Sequence, residues 1–220
     1  MIRKLENLAK LLVLAWSMLS ALLAAYLVQW FRERYRRGGP FPASRARVLL
    51  APGRPWFQPI RRSLESFLLR PGATVLELGP GPGYFTIEAS RMVGVHGRVI
   101  CLDIQPEMLA ILRRRLADHG VTNAYPVLGD ASHLPLADGS VDCAVLAEVL
   151  GEIPDRPSAL SELRRAMRPG GVLSVMETPT DPDYMLESGT KDLCRASGFA
   201  VLEHQRGWLG YIMTFTNDRT

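Results

Sequence analysis

Glu77, Asp103 and Asp130 are acids placed where chemistry could be done, each at or just after the end of a run that reads as a buried strand. Glu77 ends Val75-Leu-Glu and is followed by Gly79, Gly81 and Gly83, spaced two apart. Glycines so placed let a strand turn sharply into a helix and leave the backbone bare enough to touch a ligand. At the carboxyl end of a first parallel strand, such a turn is where doubly wound folds bind nucleotides. Asp103 closes Arg98-Val-Ile-Cys-Leu-Asp103, twenty residues after Gly83, where an acid can accept hydrogen bonds from both ribose hydroxyls. A dinucleotide fingerprint would need glycine at position 84, and Tyr84 stands there.

What remains, E-x-G-x-G-x-G from Glu77 to Gly83, resembles the first motif of class I S-adenosylmethionine-dependent methyltransferases. Later segments match that family in order. Gly129-Asp-Ala-Ser-His-Leu-Pro through Asp142 resembles its adenine-side loop, Val141–Ala147 its fourth strand, and Leu163-Arg-Arg-Ala-Met-Arg-Pro-Gly-Gly-Val172 the junction before its fifth. The resemblance covers residues 73–178 and implies S-adenosylmethionine as cofactor. It also implies roles: Gly79, Gly81 and Gly83 approach the methionine portion, with Glu77 orienting the turn. Asp103 holds the ribose, Ile104 packs on adenine, and Asp130 with the Ala131 amide reads the adenine edge. An ordinary turn cap is the competing reading for Asp130.

The transfer step needs a general base only if the acceptor must lose a proton. His133, Glu148 and Glu152 are candidates for it, and Tyr84 is a candidate wall over the methyl group. Glu148 and Glu152 are spaced i, i+4, so either could instead cap or charge-stabilise the helix that follows. Related sequences often carry histidine after the fourth strand, and Gly151-Glu152 departs from that pattern.

These residues need a scaffold. Strands are expected near 73–78, 98–103, 123–128, 141–147, 171–177, 199–205 and 210–216. Helices are expected near 84–93, 105–118, 156–167 and 185–197, with an amphipathic helix at Ile60–Leu69. The alternation implies an α/β fold, a doubly wound, mostly parallel sheet of seven strands covered on both faces. The last two strands are joined by a few residues around Gly207–Gly210 and should form an antiparallel hairpin. His96 and His119 precede strands and His204 lies in the sixth, so none belongs at the ligand edge.

The chain has 220 residues, 47% hydrophobic, and a net charge of +4. That charge is uneven. Nine arginines face one acid, Glu33, between Arg32 and Arg62, whereas residues 63–220 carry a net −6. An acidic catalytic domain removes the electrostatic support for a nucleic-acid substrate. Cys101, Cys143 and Cys194 are isolated, so neither a disulfide framework nor a metal site is expected.

Leu11–Phe31 is uncharged. As a helix it would extend about 31 Å, near the thickness of a bilayer's hydrocarbon core. A single N-terminal membrane helix is therefore expected over residues 1–37, its basic flank included, in preference to a cleaved signal or a buried soluble helix. Positive charge concentrated after the span directs the carboxyl side to the cytoplasm. The arginines of 32–62 would then lie against anionic lipid. Residues 38–59, rich in proline and glycine, read as a linker to a catalytic domain at 60–220, with Trp56 and Phe57 as membrane-surface or lid contacts. The short loop Thr178–Tyr184 leaves the site uncapped. An open site tethered to a bilayer suits a lipid, a quinone precursor or another hydrophobic small molecule. A tethered enzyme with a soluble acceptor is one alternative. A catalytically silent adaptor and a nucleotide-dependent oxidoreductase are others of a different class.

Overall fold

Val75, Leu76 and Leu78 in the first strand, like Cys143–Leu146 in the fourth, are apolar on both faces, as central parallel strands must be. They lie in the middle of one sheet. The computed structural model describes residues 2–35, 39–207 and 210–218, with the side chains of residues 2–9, 11, 12, 29–35, 56 and 57 outside that description. Its strands are β1 (Thr74–Leu78), β2 (Arg98–Asp103), β3 (Ala124–Leu128), β4 (Val141–Ala147), β5 (Met167–Glu177), β6 (Phe199–Gly207) and β7 (Gly210–Asn217). The sheet order is β3-β2-β1-β4-β5-β7-β6. Strands β1 to β5 run parallel, and β7 inserts antiparallel between β5 and β6. The expected hairpin is present, and its second strand pairs on its other side with β5.

The helices are α1 (Ile2–Tyr35), α2 (Arg54–Phe57), α3 (Ile60–Ser66), α4 (Thr86–Val93), α5 (Pro106–Asp118), α6 (Arg156–Ala166) and α7 (Glu187–Ala196), with a 3-10 helix at Ala43–Leu50. Local chemistry sets their ends. Pro106 opens α5, with Glu107 in its first turn and Arg115 in its last, matching the helix dipole. Asp155 caps α6 by accepting from the Ser158 amide at 3.1 Å. Glu148 and Glu152 are thereby relieved of the capping role that the sequence left open to them. Helix α3 ends at Ser66, short of the expected Leu69, and β5 begins at Met167 rather than 171, where the Asn217 amide bonds the carbonyls of Arg164, Met167 and Arg168.

Two apolar clusters fill the two faces of the sheet. One gathers Leu76, Leu146, Leu160 and Phe215, the other Phe67, Val75, Leu109 and Val145. All three cysteines are buried and free. Helix α1 differs in kind: its described apolar side chains, from Val13 to Val28, are exposed, Trp16 at 75%. Among the described residues no helix is long and apolar enough to cross a membrane. The side chains described in that stretch span about 24 Å at 1.5 Å per residue. The run Leu11–Phe31 lies partly outside the described residues, at 11, 12 and 29–31.

Candidate active site

The carboxyl ends of β1, β2 and β4 open into one cavity of about 700 Å³. That is the size class of small-molecule and cofactor pockets. Gly79, Gly81 and Gly83 have φ of 58°, 56° and 85°, conformations that side chains disfavour. At Gly79 space is also short, because a Cβ would come 2.6 Å from Val149 Cγ2. The turn is pinned to the next strand by the Gly79 amide, which donates to the Leu102 carbonyl at 2.9 Å. Glu77 is buried beneath it and accepts from Thr86 Oγ1 at 2.7 Å, so the acid clasps strand to helix across the glycines. Burial pushes its pKa up to about 7, against the lowering effect of the Thr86 bond.

Asp103 faces the same cavity, 7% exposed, with Oδ1 accepting from the Gln105 amide at 2.9 Å. Burial raises its pKa, partly offset by the backbone N–H groups of Gln105, Gly81 and Ile104. Ile104, 55% exposed, stands at the rim, and Gly129, Asp130 and Ala131 form the neighbouring wall. Asp130 Oδ1 also accepts from the Ser132 amide at 2.8 Å, so the turn-capping role and the cavity position coexist in one residue. Seven of the eight expected cofactor residues thus line one space, and Gly83 lies just beyond it, where a Cβ would meet Leu112 Cδ1 at 2.6 Å.

The expected chemical residues divide. Tyr84 lines the cavity, but its hydroxyl donates to the Gln58 carbonyl at 2.7 Å, and burial raises its pKa. His133 lies outside the cavity, exposed, beside Ser158 and Glu162 at the start of α6. Asp130 and His133 pair across a tight bend as an isolated antiparallel bridge. Glu148 lines the cavity with both carboxylate oxygens engaged: Arg54 Nη2 at 2.7 Å on Oε2, and Gln58 Nε2 at 2.5 Å with the Thr178 hydroxyl on Oε1. Its backbone is left-handed, φ 60°, a strained conformation for a residue with a side chain.

Residues 38–59 do more than connect. The stretch 40–58 runs over the mouth of the site as a strap, and Phe41, Val48, Leu49, Arg54 and Gln58 are cavity wall. It is fastened at two ends. The Phe41 amide donates to Glu152 Oε2 at 3.3 Å, and its carbonyl accepts from Gln105 Nε2 at 2.9 Å. Arg54 binds Glu148, Gln58 and the Leu49 carbonyl, with its guanidinium 4.2 Å over the Tyr84 ring. The expectation of an uncapped site is therefore corrected. The cap comes from before the first strand, not from an insertion after the fourth, and Arg54 faces the site instead of lipid. Its sequence signal was faint: one arginine among nine, in a proline-rich stretch.

A second group went unassigned in sequence. Asp181, in the loop after β5, lines the cavity with Glu152. Burial, with the charges of Glu148 and Asp183 adding to it, raises Asp181 to about 7, and burial followed by the charge of Asp181 raises Glu152 to about 8. The loop is held close because Gly151 has no side chain: a Cβ there would meet the Asp183 carbonyl oxygen at 1.9 Å. Among the described residues no group of acids, histidines or cysteines has metal-binding geometry.

Comparison with known proteins agrees with this geometry. Residues 75–171 match the family model described as a methyltransferase domain. The ubiquinone/menaquinone biosynthesis C-methyltransferase UbiE of Hahella chejuensis is 40% identical over 125 residues, 56% of this chain and 50% of that protein. The UbiE of Vibrio cholerae is 40% identical over 109 residues, 49% of this chain and 42% of that one. The chain spans about half the length of the curated relatives it matches. Among solved structures, a SAM-dependent methyltransferase from Aquifex aeolicus has a TM-score of 0.76 at 24% identity, covering 80% of this chain and 98% of that one. The [4+2]-cyclase SpnF has a TM-score of 0.61 at 23% identity, covering 67% and 59%. The glycine cradle that a Cβ would fill and the buried Asp103 suit the cofactor those methyltransferases share. Residues 75–171 thus match a methyltransferase domain, and that match together with the fold implies S-adenosylmethionine as its cofactor.

Proposed function

We propose that this chain transfers a methyl group from S-adenosylmethionine to an apolar acceptor that resides in a membrane: a lipid, a quinone precursor or another hydrophobic small molecule. The observation that carries the reading is the strap. Phe41, Val48 and Leu49 line the cavity together with Val149 and Ile153 and give it an apolar wall. The names of the curated relatives, which act in quinone biosynthesis, support the same acceptor class. A cyclase among the fold neighbours means that the fold alone does not choose the reaction.

When bound, the cofactor supplies an electrophilic methyl group on a positively charged sulfur. The chain's own part is positioning. Asp103 receives the ribose hydroxyls, Ile104 covers the adenine, and the Asp130–Ala131 turn meets its edge. The glycine turn admits the methionine portion against bare backbone. The acids around the cavity favour a cationic cofactor, and the strap keeps water from the reacting atoms. Orientation of this kind is worth about 7–11 kcal/mol in favourable cases.

In this reading α1 is a retained membrane anchor, with the run Leu11–Phe31 in the bilayer and the catalytic domain on the cytoplasmic side. The exposed apolar side chains from Val13 to Val28 support it, since so large an apolar surface calls for a partner. Exposed Arg47, Arg61 and Arg62 suit an anionic lipid surface. The test is transfer of labelled methyl from S-adenosylmethionine to a total membrane-lipid extract by the full-length protein in vesicles. Label in the organic phase is expected. Label found only on soluble amines, thiols or phenols would reduce α1 to a tether.

A further inference from the structure

Resting on that reading, we propose that Glu152, and not its neighbour Glu148, is the catalytic base, taking the proton that an O–H or N–H acceptor loses as it is methylated. The two carboxylates sit four residues apart at the end of β4 and line the same cavity, but their surroundings differ. Glu148 is consumed by structure, with Arg54, Gln58 and Thr178 donating to it. Glu152 accepts one long bond, from the Phe41 amide to Oε2 at 3.3 Å, and among the described residues Oε1 has no donor. Glu152 itself lines the cavity.

The groups around Glu152 keep it basic. Asp181 and Asp183 face it from the loop after β5, and Asp103 from the end of β2. Glu177, at the end of β5, feels its charge in turn. Arg54, the cation among the lining residues, is bound to Glu148. Burial first, and then Asp181, brings Glu152 up to about 8. A carboxylate of that basicity is far better matched to a phenol or an amine than an ordinary one.

The step balances. The acceptor's proton passes to Glu152, and the acceptor atom's lone pair forms the new bond to the methyl carbon. The methyl–sulfur bonding pair stays on sulfur and cancels its positive charge. The other candidates stand aside, His133 outside the cavity and Tyr84 with its hydroxyl committed to Gln58.

The test uses full-length protein in vesicles with an isoprenylated hydroquinone as probe acceptor. Glu152→Gln keeps an oxygen for the Phe41 amide, so the strap should hold and cofactor affinity by calorimetry should stay within threefold. Turnover should fall by about 100-fold or more, the scale of a lost general base, with KM within threefold and loss of the rate rise near pH 8. A parallel measurement follows the Glu152 carboxyl by the carbon shift of labelled glutamate side chains, where a titration near 8 is expected. Turnover within tenfold of wild type in Glu152→Gln, or a Glu152 carboxyl titrating below about 6, overturns the proposal. A wild-type protein that binds cofactor but methylates no acceptor overturns the function and the base with it, whereas activity surviving in Glu152→Gln overturns the base alone.

Discussion

Arg54 and Glu148 are 94 residues apart in sequence and 2.7 Å apart in space. That pair joins the strap to the end of β4, and both side chains are only 16% exposed. Glu148 meets Arg54 from a left-handed backbone, a conformation that costs about 1–3 kcal/mol and persists only when its surroundings enforce it. Removing one partner leaves the other charge half-buried and unmatched. Arg54→Met should therefore destabilise the protein by about 3 kcal/mol and expose residues 40–58 to protease. Equal cleavage rates in variant and wild type would mean that the strap is held elsewhere.

Asp103 carries the cofactor assignment. Asp103→Ala removes an acceptor that two ribose hydroxyls would share, at about 1.5 kcal/mol or more for each bond to a charged group. Affinity for S-adenosylmethionine should fall by roughly a hundredfold or more, with the circular dichroism spectrum unchanged. An unchanged dissociation constant would displace the ribose site from this acid.

Gly79→Ala tests the turn independently. The new methyl group would collide with Val149 Cγ2 and force a left-handed alanine, costing about 1–2 kcal/mol from the backbone alone. Cofactor binding should weaken, because the turn must shift away from β4. Retention of full affinity would show that the ligand does not touch this backbone.

Glu177 gives a pH dependence with a definite sign. It is 1% exposed, Oε1 is buried without a partner among the described residues, and burial pushes its pKa up to about 9. The folded state then holds this proton more tightly than the unfolded chain, whose value is about 4.5. The contribution to stability is complete below about 4.5 and is lost as pH rises towards 9. The melting temperature should decline across that window, and Glu177→Gln should flatten the decline. A melting temperature that climbs from pH 5 to 9 with Glu177 in place would contradict the assignment.

The sheet was legible because its strands are short apolar runs ending in acids and glycines; β2 and β4 fall on the expected residues. The glycine turn was legible for the same reason, since a bare backbone turn has to be written in glycine. The strap was not. Arg54 and Gln58 act through contacts 90 or more residues away, and a proline-rich stretch carries no periodicity to announce that it is a wall. Glu148 and Glu152 are indistinguishable as letters. Their difference lies in the donors around them, which only the packed fold supplies.

Deletion experiments separate the first two segments of the chain. Removing residues 1–37 should leave a folded, soluble protein that binds S-adenosylmethionine as the full chain does. Removing residues 1–58 also takes away Arg54 and Gln58, and should weaken cofactor binding and expose Tyr84. If the shorter deletion aggregates with its core exposed, α1 belongs to the domain.

Few residues separate α1 from the strap. From Tyr35 to Phe41, whose amide and carbonyl are both fastened to the catalytic domain, the chain advances six residues. Fully extended, that is a leash of about 20 Å. With Leu11–Phe31 in a bilayer, the last turn of α1 adds about 6 Å, so Phe41 would stand within about 26 Å of the membrane surface. The reach of the enzyme would then be a shallow layer along the membrane surface. The length of the leash, as much as the lining of the cavity, would then select what is methylated.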